Sequence, residues 1–304
     1  MSENITTNIK KIFRASPYLM RVIVKLILAP KYYFKIWKND FTALMGRPPG
    51  GTRTIFVAGY PKSGTTWVEN FISHIPGYNP RALYGDREVL RHHNLPEDAF
   101  VKIPKFGYSA IKTHVTPDTK NIDILIRSGV RKVLVMYRDP RDIVVSNYYH
   151  ILKNNPWIPS DPFYANYSVM SKEEGISHAL SMTLDDYIAW VSGWKAVAHD
   201  RQDIDCLFLK YEDLRNDPEE AFRGILEFFD VKLNNSQLNT VILASNKKSK
   251  KVFTTSLMPG NKSTKRKGIV GEWKEELNEK QKEIFKKKAG KFLIDLGYES
   301  GCEF

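Results

Sequence analysis

Apolar residues along this chain come in two rhythms. Short unbroken runs recur at Ile55-Phe56-Val57-Ala58, Val133-Leu134-Val135-Met136 and Leu207-Phe208-Leu209, with a looser one at Tyr108-Ser109-Ala110-Ile111 that Pro117 closes. Runs this short, with no polar alternation, predict strands buried on both faces. Between them apolar residues return at steps of three and four: Val68, Phe71 and Ile72; Ile188, Val191, Trp194 and Val197 within 183–198; Ile225, Leu226 and Phe229 after Asp217-Pro218; Phe285, Ala289, Phe292 and Leu296. That spacing predicts helices with one face in a core. Residues 122–127 add a short element, and a helix carrying Ile143, Val144, Ser146 and Tyr149 begins where Asp139 or Asp142 can cap it. Strand and helix therefore alternate, the pattern of an α/β domain.

Elsewhere the rhythm fails. In residues 1–40, Lys11, Arg14, Arg21 and Lys25 recur at helical intervals among Ile12, Phe13, Leu19, Val22, Ile23, Leu26 and Ile27. After Pro30 the same writing resumes, with Lys31, Lys35 and Lys38 among Tyr32, Phe34, Ile36 and Trp37. Such a segment either lies in a membrane interface as a basic amphipathic helix or packs on the body with its lysines solvated. Arg47-Pro48-Pro49-Gly50-Gly51 is a turn-rich linker, so the expected division is a basic N-terminal extension over 1–50 and one domain over 51–304. Residues 76–104 read as an irregular, charged loop, a candidate wall or lid for an acceptor site; its His92 and His93 lack further ligand-spaced partners. Residues 155–171 are aromatic and loop-like (Trp157, Phe163, Tyr164, Tyr167), either an apolar pocket lining or packed surface.

Composition narrows this picture. The 304 residues are 42% hydrophobic and 26% charged, enough for a sizeable core in one large or two small domains. A formal net charge of +12 implies an anionic partner without choosing among nucleotide, nucleic acid, membrane and acidic substrate. Cys206 and Cys302 form no C-x-x-C pair, which argues against a zinc site or a disulfide framework and fits a reducing compartment, with a single Cys206–Cys302 bridge left open. No window is long and apolar enough to span a bilayer, and 18–29 carries Arg21 and Lys25 with no small-residue cleavage site. The expected location is the cytoplasm, with residues 1–40 able to touch a membrane surface.

Chemistry concentrates around Gly59-Tyr60-Pro61-Lys62-Ser63-Gly64-Thr65-Thr66-Trp67, between the first strand and the helix of Val68, Phe71 and Ile72. A strand, a small-residue turn and a helix aim backbone N–H groups and a helix dipole at one place and make an anion site. Gly59 and Gly64 have the P-loop separation, but Thr65 stands where that motif has its lysine, and the lysine, Lys62, lies inside the loop. This favours a phosphate cradle built for something other than Mg-ATP. Lys112 and His114, two apart at a strand end, share a face and supply a cation and a candidate general base. Arg138 ends the strand 132–137, where open α/β sheets bind ligands, and Ser146 lies two turns along the next helix. Arg266-Lys267-Gly268, after the lysine-dense stretch 246–267, suits a terminal phosphate: a planar fork, a point charge and an unobstructed N–H.

Together the boxes Tyr60 to Trp67, Lys112-Thr113-His114, Tyr137-Arg138-Asp139-Pro140-Arg141-Asp142 with Ser146, Lys210-Tyr211-Glu212-Asp213-Leu214, and Arg266-Lys267-Gly268-x-x-Gly271-Glu272-Trp273-Lys274 resemble the cytosolic sulfotransferases, in that family's order. The resemblance covers about residues 54 to 277. It implies a single α/β domain with a central parallel sheet flanked by helices, related to P-loop nucleotide kinases. It also implies transfer of a sulfuryl group from the donor 3′-phosphoadenylyl sulfate (PAPS) to a hydroxyl, leaving PAP, with no metal. Carried over by motif, Lys62, Ser63, Gly64, Thr65 and Thr66 hold the 5′-phosphosulfate, and Trp67 and Tyr211 meet the adenine. Arg138, Ser146, Arg266, Lys267 and Gly268 take the 3′-phosphate; His114 is the base, Lys62 meets the bridging oxygen and Lys112 is an accessory cation. Glu272 and Leu277 depart from the family's usual aspartate and phenylalanine, Asn246 stands near its adenine-side phenylalanine, and 274–283 lacks the Thr-Val pair of its dimer motif, which leaves the oligomeric state open.

The expected acceptor is a small hydrophobic alcohol, phenol, sterol or lipid-like molecule, and no nucleic acid. Two rival readings remain: a nucleotide or small-molecule kinase on the same fold, which Thr65 contradicts, and a non-catalytic basic membrane or nucleic-acid binder resting on 1–40 and 246–267.

Overall fold

A computed structural model describes residues 51–83, 94–101, 103, 104, 107–154, 167, 169–246 and 268–301. The extension 1–50, His92 and His93, most of the aromatic stretch 155–171, the lysine-dense 247–267 with Arg266 and Lys267, and Cys302 lie outside the described residues.

The apolar runs form strands of one sheet. In chain order these are β1 (Thr54–Gly59), β2 (Tyr78–Arg81), β3 (Tyr108–Thr113), β4 (Lys132–Tyr137) and β5 (Asp205–Lys210). Their order across the sheet is β2-β3-β1-β4-β5, and each neighbouring pair is parallel. The register aligns Ala58 with Thr113, Gly59 with Met136 and Tyr137 with Lys210, so β1, β3, β4 and β5 end along one edge. From β1 the chain goes to one side, first to the edge strand β2 and back to β3, and then crosses to the other side at β4. Such a reversal opens a crevice above the carboxyl ends of the strands.

Side-chain period two splits the core. Phe56, Ala58, Ile111, Val133, Val135 and Tyr137 face one cluster; Ile55, Val57, Ala110, Leu134 and Met136 face another. The first packs on α2 (Thr119–Arg127) and on Tyr187, Trp190, Val191 and Trp194 of α4 (Lys172–Asp200). The second packs on α1 (Thr65–Ile72), α6 (Pro218–Phe228) and α7 (Asn235–Asn246). There the rings of Phe71 and Phe222 stack 3.7 Å apart and 5° from parallel, and truncating either costs about 3–5 kcal/mol. A satellite cluster joins α3 (Pro140–Asn154), α4, α8 (Trp273–Glu276) and α9 (Glu279–Asp295). The one element not yet placed, α5 (Tyr211–Asn216), follows β5 directly.

Three boundaries differ from the sequence reading. The strand β2 lies inside the stretch read as irregular: Tyr78-Asn79-Pro80-Arg81 carries a proline and no apolar run, and it is tolerated because it sits at the sheet edge. The helix α4 starts at Lys172 rather than 183, since Ser171 and Glu174 close a capping box that satisfies its first N–H groups. The helix α2 starts at Thr119, where Asp118 accepts from the Asn121 N–H at 2.9 Å. At the start of α3 it is Asp139 that caps, its Oδ1 accepting from the Arg141 N–H at 2.9 Å, with Pro140 at the first helical position. Asp142 has another use.

Candidate active site

The loop after β1 is built around close approaches. A Cβ at Gly59 would lie 2.1 Å from Thr65 Cγ2, and one at Gly64 would lie 2.5 Å from the Tyr211 ring. Gly64 also has φ +89, and Lys62 takes φ +73, an uncommon conformation for a non-glycine residue. Successive left-handed and right-handed residues turn N–H groups toward one concavity. Ser63 is buried, and both its N–H and its Oγ donate to the Tyr60 carbonyl, at 3.1 and 2.6 Å. Its hydroxyl therefore braces the loop. Tyr60 ties the loop to α4 by donating to Asp186 at 2.8 Å; burial first, then Asp186, drives its phenol far above the usual range. No acidic side chain occupies the first turn of α1 and no side chain caps it, so the positive end of that helix faces the loop.

Lys112 and His114 both stand half-buried beside this loop, on the face that period two predicts. The ammonium of Lys112 lies 3.1 Å from Glu69 Oε2 and donates to Thr66 Oγ1 at 3.2 Å. The Glu69 contact is an ion pair outside hydrogen-bond geometry. Glu69, buried on α1, escaped the sequence reading although it lies one turn after Thr66. The Nδ1 of His114 lies 2.5 Å from the carbonyl oxygen of Gly59. A carbonyl can only accept, so Nδ1 carries the proton and Nε2 keeps the lone pair of the neutral ring.

At the end of β4 the two arginines separate. Arg141 is buried, bidentate on Asp139 (2.9 and 2.7 Å), paired with Glu299 and stacked 3.8 Å over the Trp273 ring. It is structural. Arg138, 6% exposed, donates from Nη2 to Asp142 Oδ2 at 3.0 Å and to the Ile269 carbonyl at 2.7 Å, and its guanidinium lies 4.5 Å from the Tyr211 ring centre. Its Nε is buried with no hydrogen-bond acceptor among the described residues. An unmade buried donor of this kind is costly, and its natural complement is an anion. The backbone of Arg138 is pinned by Tyr187, whose OH accepts from its N–H at 3.1 Å and donates to its carbonyl. Glu212 holds the next peptide, accepting from the Asp139 N–H at 3.1 Å and from Tyr298 OH at 3.0 Å; burial raises its carboxyl.

Tyr211, at the end of β5, joins the parts. Its ring fills the space beside Gly64, and its OH donates to the Gly268 carbonyl at 3.2 Å. Gly268 has φ +66, which suits glycine. Trp67 is half-buried, edge-on to Phe222, with the Arg215 guanidinium 5.7 Å from its ring. Ser146 is half-buried on α3. One turn further on that helix is His150, which the sequence reading did not single out; burial, then the charges of Lys62 and Lys153, push its pKa down to about 4. Lys62, Thr65, Thr66, Lys112, His114, Arg138, Tyr211 and Gly268 thus converge above the carboxyl ends of β1, β3, β4 and β5. This edge can grip an anion bearing two separate charged groups and presents one imidazole nitrogen as a proton acceptor.

Comparison with known proteins agrees with this architecture. A family profile described as the sulfotransferase domain matches residues 52–297. Sulfotransferase 6B1 of Danio rerio is 30% identical over 274 residues, 82% of this chain and 83% of that protein. Human sulfotransferase 1C2 is 25% identical over 262 residues, 77% of this chain and 82% of its own length. Among solved structures, mouse sulfotransferase SULT7A1 complexed with PAP shares the fold at a TM-score of 0.58 and 22% identity, covering 77% of this chain and 81% of that one.

Proposed function

Because this chain belongs to the sulfotransferase family and is a sulfotransferase, we propose that it moves a sulfuryl group from PAPS to the hydroxyl of a small, hydrophobic acceptor, with His114 as general base. The observation that carries the reading is the Nε of Arg138, buried with no acceptor among the described residues, on the sheet edge that also holds the Lys62 loop: two cationic places on one edge suit a doubly anionic adenosine carrier. A relative of the same fold was solved with PAP. In this proposal the loop N–H groups, Lys62, Thr65 and Thr66 hold the 5′-phosphosulfate, Trp67 and Tyr211 meet the base, and Arg138, Ser146, Arg266, Lys267 and Gly268 take the 3′-phosphate. Ser63 contributes by holding the loop's shape.

The donor supplies a sulfuryl group on a phosphate leaving group. Displacement of that kind spreads charge over oxygens, so positioning and cations do most of the work. Lys62 neutralises charge growing on the bridging oxygen. His114 Nε2, its tautomer set by Gly59, accepts the proton of the attacking hydroxyl. Lys112, shared between Glu69 and Thr66, orients the Thr66 hydroxyl and adds a partly compensated positive charge. The acceptor class rests on the aromatic content of 155–171 and the lipophilic N-terminal segment; the extension 1–50, ahead of the domain at 51–304, either meets a membrane surface through residues 1–40 or packs on the domain.

Thermal shift of the full chain tests the donor reading. Strong stabilisation by 3′,5′-ADP, and little by Mg-ATP or anionic vesicles, is expected; stabilisation by Mg-ATP alone would overturn it.

A further inference from the structure

Asp142 ties two distant parts of the chain together. Its carboxylate is fully buried, and both oxygens are used. Oδ2 accepts from Arg138 Nη2 at 3.0 Å and from the Gly271 N–H at 2.9 Å; Oδ1 accepts from the Trp273 N–H at 3.1 Å. One side chain therefore joins an arginine one helical turn away to a backbone segment 129 and 131 residues distant. The same segment is fastened to the same arginine through the Ile269 carbonyl, and to Tyr211 through the Gly268 carbonyl.

The geometry points to Asp142 as a positioning residue that makes the site specific for a 3′-phosphorylated adenosine, by fixing the Arg138 guanidinium and docking Gly268–Trp273 against it. This rests on the PAPS reading above. Two effects of the carboxylate oppose each other. Its charge repels a phosphate held by Arg138, so if charge alone mattered, neutralising it would tighten anion binding. Its hydrogen bonds hold three donors in fixed places, and charge-assisted bonds of this type are among the strongest a protein makes. Positioning wins if removal of the charge loosens the 3′-phosphate.

Calorimetric titration of the full chain with 3′,5′-ADP and with 5′-AMP measures the preference for the 3′-phosphate directly. Asp142→Asn, which loses the charge and one acceptor, is expected to lower that preference about tenfold or more. Asp142→Glu, which keeps the charge but displaces it, is expected to lower it as well, with the acceptor KM little changed in both. A preference kept or increased in Asp142→Asn would overturn the proposal while leaving the donor reading intact. A wild type with no preference would overturn the donor reading and the proposal together. Hydrogen exchange on the wild type gives a check independent of any variant: the Gly271 and Trp273 amides gain more protection from saturating 3′,5′-ADP than from saturating 5′-AMP. Equal protection by the two would overturn the proposal.

Discussion

The Nδ1 of His114 lies 2.5 Å from the carbonyl oxygen of Gly59, so the residue that ends β1 decides which nitrogen of the imidazole can act as a base. Strand pairing enforces the contact, because β1 and β3 run parallel in a register that sets Ala58 beside Thr113. The tautomer is thus a product of sheet geometry and needs no carboxylate behind the ring.

From this follows the expectation for His114→Asn. Turnover is expected to fall roughly 10²-fold or more, while affinity for 3′,5′-ADP stays within a factor of a few, because the proposed mechanism uses the ring for proton transfer and not for donor binding. Steady-state kinetics beside calorimetry reads both; near-normal turnover would remove the histidine from the mechanism.

The arginines of Arg138-Asp139-Pro140-Arg141 should answer differently to the same change. Arg141→Lys loses the bidentate grip on Asp139 and the stack on Trp273, leaving buried charge poorly paired, and is expected to cost about 3–5 kcal/mol in urea unfolding. Arg138→Lys keeps a charge but loses the planar fork, and its larger effect is a weakening of 3′,5′-ADP binding by about tenfold or more. If Arg141→Lys proved the worse binder and Arg138→Lys the less stable protein, these roles would have to be exchanged.

His150 predicts an acid-side loss of stability. Burial and the neighbouring Lys62 and Lys153 hold its pKa near 4, below the ordinary 6.5. Between those values the unfolded chain binds a proton that the folded one refuses, so stability present above about pH 6.5 drains away as the pH falls toward 4. His150→Asn removes that contribution. The midpoint of urea unfolding is therefore expected to drop less between pH 7 and pH 5 in the variant than in the wild type, and equal drops would show that another group is responsible.

Much of the sheet was legible beforehand, since unbroken apolar runs can hardly be anything else in a chain that also carries helical periodicity. The strand β2 was not, because Tyr78-Asn79-Pro80-Arg81 owes its extended form to pairing with β3 and has no local signal of its own. The start of α4 was legible in principle: Ser171 and Glu174 have capping-box spacing, but the apolar stripe over 183–198 drew the boundary inward.

The candidate site divides along the same line. The glycine loop, Lys62, the Lys112–His114 pair and Arg138 could be read from residue order alone, because turn chemistry, strand alternation and the edge of an α/β sheet are short-range properties. Sequence could not say that Ser63 spends its hydroxyl on Tyr60, that Lys112 shares its charge with Glu69, or that Arg141 belongs to Asp139 and Trp273 while Arg138 meets Asp142 and the Ile269 carbonyl. Nor could it say that Asp142 reaches across to Gly271 and Trp273. Those partnerships form between segments remote in the chain, and which donor meets which acceptor is decided only when packing has removed water and made every unpaired polar group costly.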